Sequence, residues 1–162
     1  MQPTDIHNLL AIQAEAYGDY FLESEDILEA RFIASPTTAW LAWCSNQPVG
    51  YLVGYFSQVG KITPLNHTFM PSTNPDCLYL HDLALNKAAQ GKGASRKLIQ
   101  QAIGLAQSKN IKNLALISVQ DSQDFWQHHG FNICAQLADN EKAHLETYSL
   151  SSQPAIYMIK QI

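Results

Sequence analysis

Residues 77–119 constrain the fold of this chain more than any other segment. Residues 77–85 read as an apolar strand interrupted at its middle by His81 and Asp82. The turn Gln90-Gly91-Lys92-Gly93 comes next, and residues 94–108 then place Leu98, Ile99, Ala102, Ile103, Leu105 and Ala106 on one helical stripe. Residues 114–119 are an almost unbroken apolar run, as expected of a strand covered on both faces. Strand, turn, helix and strand form a βαβ unit, so the two strands should run parallel.

The rest of the chain adds strands and helices around that unit. Residues 4–17 and 24–34 carry helical spacing, with Thr4 or Asp5 capping the first and Ser24 capping the second. Ser35-Pro36 ends the second helix. Two strand-like runs, 38–44 and 49–59, flank the turn Asn46-Gln47-Pro48 and predict a hairpin. Residues 60–76, with Pro64, Pro71 and Pro75, read as one long loop, a length that often carries function. A short helix over 122–129 and strands over 131–136 and 155–160 make up the remainder. The sum is an α/β chain with a mixed sheet flanked by helices on both faces. Its 162 residues suit one domain, residues 1–162.

Charge and cysteines narrow the partners. The net charge is −4, yet its distribution is uneven. Asp5, Glu15, Asp19, Glu23, Glu25, Asp26 and Glu29 crowd the first helices, while residues 83–120 hold Lys87, Lys92, Arg96, Lys97, Lys109 and Lys112 and no acid. One region suits an anion and another a cation. The basic stretch is too small for a nucleic-acid footprint, and no run approaches the ~20 apolar residues of a membrane span, so neither partner is expected. Cys44, Cys77 and Cys134 are widely spaced and odd in number, which fits small buried residues in a reducing compartment, the cytoplasm by default. No cationic head and apolar core opens the chain, so no secretory signal is expected.

The turn at residues 90–93 is the strongest chemical signal. Glycines between a strand and a helix let the backbone bend tightly and approach a ligand. The first helix amides lack intrahelical partners and point at whatever lies above them, and a pyrophosphate suits that place. A dinucleotide fingerprint fails because its third glycine position is Arg96 and no acid stands ~20 residues on. A Walker pattern fails because Gly93 comes after Lys92. A plain strand-to-helix turn with surface lysines remains the alternative.

Two blocks together resemble the GNAT superfamily of acetyl-CoA-dependent N-acetyltransferases. Gln90 and Gly93 match its cofactor motif, and Ser95 departs at the last position. Phe125-Trp126-Gln127-His128-His129-Gly130-Phe131 is similar to the family's later aromatic pair and Gly-Phe. The resemblance is good over residues 78–131 and weaker before them. It implies a centrally splayed sheet whose parted parallel strands hold acetyl-CoA. Backbone groups of Leu83, Ala84 and Leu85 are then expected on the pantetheine arm. The amides from Gln90 through Gly91, Lys92, Gly93 and Ala94 to Ser95 are expected on the pyrophosphate, with Phe125 at the cofactor's wall.

Acetyl transfer needs a neutral amine, and an unperturbed lysine-type amine, with a pKa of ~10.4, is almost wholly protonated near neutrality. A base is therefore expected. The resemblance puts His81 at the base position, with Asp82 orienting the amine or the imidazole. Adjacent strand residues point to opposite faces, so both can meet one substrate only across a bulge. Packed histidine and structural aspartate are the bland alternatives. Trp126 stands where many family members carry a tyrosine that protonates the thiolate, and an indole only donates without titrating. Tyr148 and His128 are the other candidate donors. No metal is expected, since His128-His129 has no third ligand at helical spacing.

By the resemblance, Tyr17, Tyr20, Phe21, Glu23, Glu25, His67, Phe69 and Tyr148 wall the acceptor site. The acceptor is read as a primary amine, a small molecule ahead of a protein or peptide. The alternative is an inactive acetyl-CoA-binding sensor. A homodimer is left open.

Overall fold

The computed structural model describes residues 1–17, 21–150 and 153–162. Its strands are β1 (Ala39–Cys44), β2 (Gln47–Ser57), β3 (Cys77–Leu85), β4 (Asn113–Ser118), β5 (Asn132–Ile133) and β6 (Ile156–Gln161). Its helices are α1 (Ile6–Ala16), α2 (Glu25–Ala34), α3 (Ala94–Ser108), α4 (Gln123–His128) and α5 (Asp139–Glu146). The strands form one sheet in the order β1-β2-β3-β4-β6-β5. Among the described residues, only β3 and β4 pair in parallel; the remaining neighbours are antiparallel. The sheet is mixed, as the βαβ unit required.

Alternation along the strands divides the core between two faces. Tyr51, Val53, Tyr55, Cys77, Tyr79, Ala115 and Tyr157 face one way, onto Ile6, Leu9 and Ile12 of α1 and Leu28 of α2. Leu52, Leu78, Leu80, Leu114, Leu116 and Met158 face the other way, onto Leu98, Ile99, Ala102 and Ala106 of α3 and onto Trp126 and Phe131. The stripe on α3 buries because small Ala102 and Ala106 let the helix lie close to the sheet. Each buried leucine or isoleucine there contributes about 2 kcal/mol of apolar burial.

Two irregularities in β3 shape the centre of the molecule. Val53 pairs with Asp82 but Gly54 pairs with Leu80, so His81 is the extra residue of a bulge. Parallel pairing between β3 and β4 runs from Cys77↔Asn113 to Leu80↔Leu116 and stops there. Both strands continue, held from outside: β3 pairs β2 as far as Leu85↔Gly50 and β4 pairs β6 as far as Ser118↔Ile156. The sheet therefore parts in its middle, just where the bulge bends β3.

Several local expectations are corrected. Ser24 has the extended backbone of an N-cap, but its hydroxyl makes no capping bond. The hairpin turn is Ser45-Asn46, both at positive φ (49° and 63°), so β2 starts at Gln47 and includes Pro48. Two residues at positive φ give the turn whose twist matches a hairpin. The strand expected over 131–136 shrinks to β5, because Cys134 is the last residue whose amide reaches β6, at Tyr157 O. Helix α5 was not expected. It is mostly polar and buries only Glu141, so it shows no apolar stripe.

The long loop is as expected, and α5 anchors it. Glu141 accepts from Ile62 N at 2.8 Å and Lys61 Nζ at 3.0 Å. Leu65 N donates to Thr147 Oγ1 at 3.0 Å. Tyr20, expected at the acceptor wall, lies outside the described residues.

Candidate active site

The parting of β3 and β4 opens a cavity of about 400 Å³. Leu83, Leu85, Gln90, Gly91, Ser95, Phe125 and Trp126 line it on the α3 and α4 side. Tyr17, Phe21, Glu23, Leu65, His81, Asp82, Ala84 and Tyr148 line it on the α1 and α2 side. It thus runs through the sheet and gives access to one point from both faces.

The α3 end is a backbone cradle. Gly91 and Gly93 have φ of 72° and 77°, and Gly93 is the N-cap of α3. A Cβ at either would meet nothing within 4 Å, so the space over the turn is open. The free amides of the first turn of α3 face that space. Lys92, Gly93 and Ala94 shape the turn without lining the cavity, whereas Gln90, Gly91 and Ser95 line it. Among the described residues, no β-partner covers the β4-facing edge of β3 beyond Leu80. These features fit a pyrophosphate joined to an extended amide-bearing arm.

The other end is polar and buried. The bulge puts His81 and Asp82 on one face, since Ala84 again faces α1 while Leu83 faces α3. Asp82 accepts short hydrogen bonds from the hydroxyls of Tyr17 and Tyr51. Tyr17 also lies 3.1 Å from Leu83 O. Burial raises the Asp82 carboxyl; the two phenols pull it down, and it sits at about 6. Burial, then the Asp82 charge, pushes both phenols well up, so they remain donors.

His81 has a buried side chain, 3% exposed, with Nε2 3.5 Å from Glu23 Oε2. Its Nδ1 is buried and has no hydrogen-bond partner among the described residues. Burial, then Arg31, lowers its pKa, and Glu23 opposes them, so the ring is neutral near pH 7. Glu23 forms a bidentate pair with Arg31, with Oε1 2.6 Å from Nη2. Burial would raise the Glu23 carboxyl, but His81 and Arg31 hold it at about 2. Because His81 is itself neutral, Arg31 is the charge that keeps Glu23 ionised. Arg31 Nε and Nη2 also donate to His67 O at 2.9 and 2.8 Å.

Other expected residues fall differently. Glu23 is neutralised by Arg31 and is no free anion for a cationic amine; Glu25 is exposed on α2, outside the cavity lining. His67 contributes its carbonyl, and its side chain is exposed. Phe69 is buried under Arg31, whose guanidinium lies 5.0 Å from the ring centroid, and sits edge-on to His81. Tyr148 lines the cavity, but its hydroxyl donates to Thr63 O at 2.6 Å. His128 is exposed and outside the cavity. Trp126 is buried against Phe131 with ring centroids 5.3 Å apart. Arg31 and Tyr51 were not singled out in the sequence. Tyr51 was visible as part of the alternating row Tyr51, Val53 and Tyr55, whereas a lone arginine on an acidic helix gave no such sign. Among the described residues no cluster of His, Cys, Asp or Glu suits a metal ion, and no helix is long and apolar enough to cross a membrane.

A glycine-capped cradle, parted parallel strands and a bulged polar centre coincide with a match to the acetyltransferase (GNAT) family model over residues 5–131. The chain belongs to the GNAT family. It is an acyltransferase with that family's fold, and solved structures share the fold at low identity. A GNAT-like decarboxylase, GphF, in complex with isobutyryl-CoA superposes with a TM-score of 0.79 at 12% identity, over 99% of this chain and 96% of that one. The ribosomal-protein-S18-alanine N-acetyltransferase from Escherichia coli gives 0.69 at 15% identity, over 100% and 90%. Naa50 from Arabidopsis thaliana, in complex with a bisubstrate analogue CoA-Ac-MVNAL, gives 0.65 at 15% identity, over 100% and 95%. No curated protein sequence shows significant similarity to the chain.

Proposed function

We propose that this GNAT protein transfers an acetyl group from acetyl-CoA directly to a primary amine, with His81 as general base. The observation that carries the reading is the cavity running through the parted strands, with the glycine cradle at one end and His81 and Asp82 at the other. The isobutyryl-CoA and CoA-conjugate complexes of two structural relatives support a CoA thioester as donor. An alanine N-acetyltransferase and a complex with a peptide-bearing bisubstrate analogue among the relatives support an amine acceptor. The aromatic walls here, Tyr17, Phe21 and Tyr148, favour a small amine over a folded protein. The unpaired cysteines support a cytoplasmic setting, with residues 1–162 acting as one domain.

The residue roles come from charge and position. The first amides of α3 and the Gly91–Gly93 turn hold the pyrophosphate, and the backbone of Leu83, Ala84 and Leu85 aligns the arm. Phe125 and Trp126 shield it from water. Acetyl-CoA, when bound, supplies a thioester carbonyl whose C–S bond breaks as the C–N bond forms. Asp82, ionised above about pH 6, attracts the incoming ammonium. Neutral His81 takes the ammonium's first proton, which exposes the attacking lone pair, and passes it to solvent. The second, shed by nitrogen once the C–N bond has formed, is the one the departing thiolate needs. Water carries it there, because the Tyr148 hydroxyl is engaged by Thr63 O and the Trp126 indole does not titrate.

Calorimetric titration with acetyl-CoA, then thiol release across a panel of primary amines, tests the reading. Micromolar binding and turnover with at least one amine are expected. His81→Ala should then lower kcat about 10²- to 10⁴-fold with acetyl-CoA affinity retained. Absence of acetyl-CoA binding would overturn the reading. Tight binding with no turnover on the panel would favour the sensor, for which the missing titratable group at Trp126 is the specific argument.

A further inference from the structure

A neutral imidazole has one N–H and one lone pair, and its neighbours decide which nitrogen carries which. At His81 the neighbours differ sharply. Nε2 faces a buried carboxylate, Glu23, at 3.5 Å, and Nδ1 faces no partner among the described residues. An ionised carboxylate only accepts hydrogen bonds. Glu23 is bound to that state by the bidentate Arg31 and by Asn66 N, which donates to Oε1 at 3.0 Å. A lone pair on Nε2 would face a second lone pair in a site with little water. The proton therefore belongs on Nε2, and the lone pair on Nδ1.

We propose that Glu23 is a positioning residue for acetyl transfer, which fixes His81 as the Nε2–H tautomer and leaves the buried Nδ1 as the ring's one free lone pair. Arg31 acts one step further out by keeping Glu23 ionised. The backbone of Glu23 is itself clamped, since Gln13 Nε2 donates to Glu23 O at 2.7 Å and Glu23 N donates to Gln13 Oε1 at 3.2 Å. Sequence spacing could not reveal this pair, because Glu23 precedes α2 and His81 sits in β3, on elements joined only by folding. As Nδ1 gains a proton, the imidazolium meets a carboxylate already in place. The inference rests on His81 being the base.

The groups facing His81 are Glu23 and Arg31 from the α2 region, Asp82 and Tyr79 from β3, and Tyr148 beyond α5. Tyr17 of the α1 end and Tyr51 of β2 reach it through Asp82. Of these, Glu23 is the one whose hydrogen bond and charge favour the protonated ring.

Two measurements test the role, and the first needs no turnover. In protein labelled with ¹⁵N-histidine and free of substrate, ring ¹H–¹⁵N correlations at pH 7.5 should show His81 as the Nε2–H tautomer. In Glu23→Gln the ring should become a mixture of tautomers. Should that variant leave Arg31 uncompensated and fail to fold, Glu23→Gln/Arg31→Gln removes both charges and is read the same way. Nδ1–H in the wild type, or an unchanged pure Nε2–H ring in the variants, would overturn the proposal while leaving His81 free to be the base. The second measurement is the pH profile of kcat/KM. In folded Glu23→Gln its acidic limb should move down by about one pH unit, with kcat lowered about tenfold. A purely structural role would lower kcat or stability and leave that limb in place. If His81→Ala retains full turnover, the base assignment falls on its own, whatever the tautomer.

Discussion

Asp82 is an acid whose surroundings oppose its charge, and that has a measurable consequence. Burial raises its pKa from 3.8 to about 6, against the pull of the two phenols. The folded state therefore binds this proton more tightly than the unfolded chain. Its contribution to stability is full below pH 3.8 and is lost as the pH rises through about 6. Asp82→Asn removes the titration and keeps the size. Relative to wild type, the variant should gain stability between pH 4 and 7, by up to about 3 kcal/mol. Urea unfolding at pH 4.5 and 7.5 measures the gain, and a difference independent of pH would contradict the assignment. On the proposed role of Asp82, the same variant should also bind the acceptor amine more weakly. Sequence alone marked His81 and Asp82 as unusual within an apolar strand. It could not say that one carboxylate would be held by two tyrosines drawn from α1's end and β2.

At the level of elements, the bulge in β3 does the positioning. It turns Asp82 onto the face of His81 and coincides with the point where β3 leaves β4. Gly54 makes it feasible: a Cβ there would lie 2.3 Å from Tyr79 O, a backbone atom with little room to retreat. Gly54→Ala should cost about 1–3 kcal/mol through this overlap, and it should misalign His81. Turnover should fall more than acetyl-CoA affinity, since the glycine cradle before α3 is untouched. Denaturant unfolding combined with calorimetry and turnover checks this; wild-type turnover and stability would show the contact to be slack. The strand–turn–helix–strand core was legible because its signals are local, as the α3 stripe and the apolar β4 illustrate. Helix α5 was not, because its reason to fold is the buried Glu141 contact with the long loop, far away in sequence.

Over the whole molecule, the Glu23–Arg31 pair joins parts that the chain order separates. Gln13 of α1, the loop at Asn66 and His67, and His81 of β3 all bond to one or the other. Both side chains are nearly inaccessible, 2% exposed for Arg31 and 4% for Glu23. Removing one partner of such a pair leaves a buried charge and typically costs about 3–5 kcal/mol. Arg31→Ala should therefore lower global stability by about that amount near pH 7. Glu23's pKa is depressed to about 2, so its contribution is present above the ordinary carboxylate range and lost as the pH falls toward 2. The gap between wild type and Arg31→Ala should accordingly narrow between pH 5 and pH 2. Unfolding curves across that range test it, and a gap that widens in acid would place the stabilising charge elsewhere.

The layered α/β architecture, the parallel pair and the glycine cradle were legible before any folding was considered. Each is encoded in residues close together: the α3 stripe, the apolar runs of β3 and β4, and Gly91 and Gly93 at the entrance to α3. The tertiary structure alone decided the state of the polar centre. Whether Glu23 is a free anion or the ionised partner of Arg31, whether Asp82 holds its proton near pH 6, and which nitrogen of His81 is bare are matters of burial and of neighbours brought from distant elements. Charge in a low-dielectric site is set by everything within a few ångströms, and that neighbourhood exists only once α1, α2, the long loop and β3 have met.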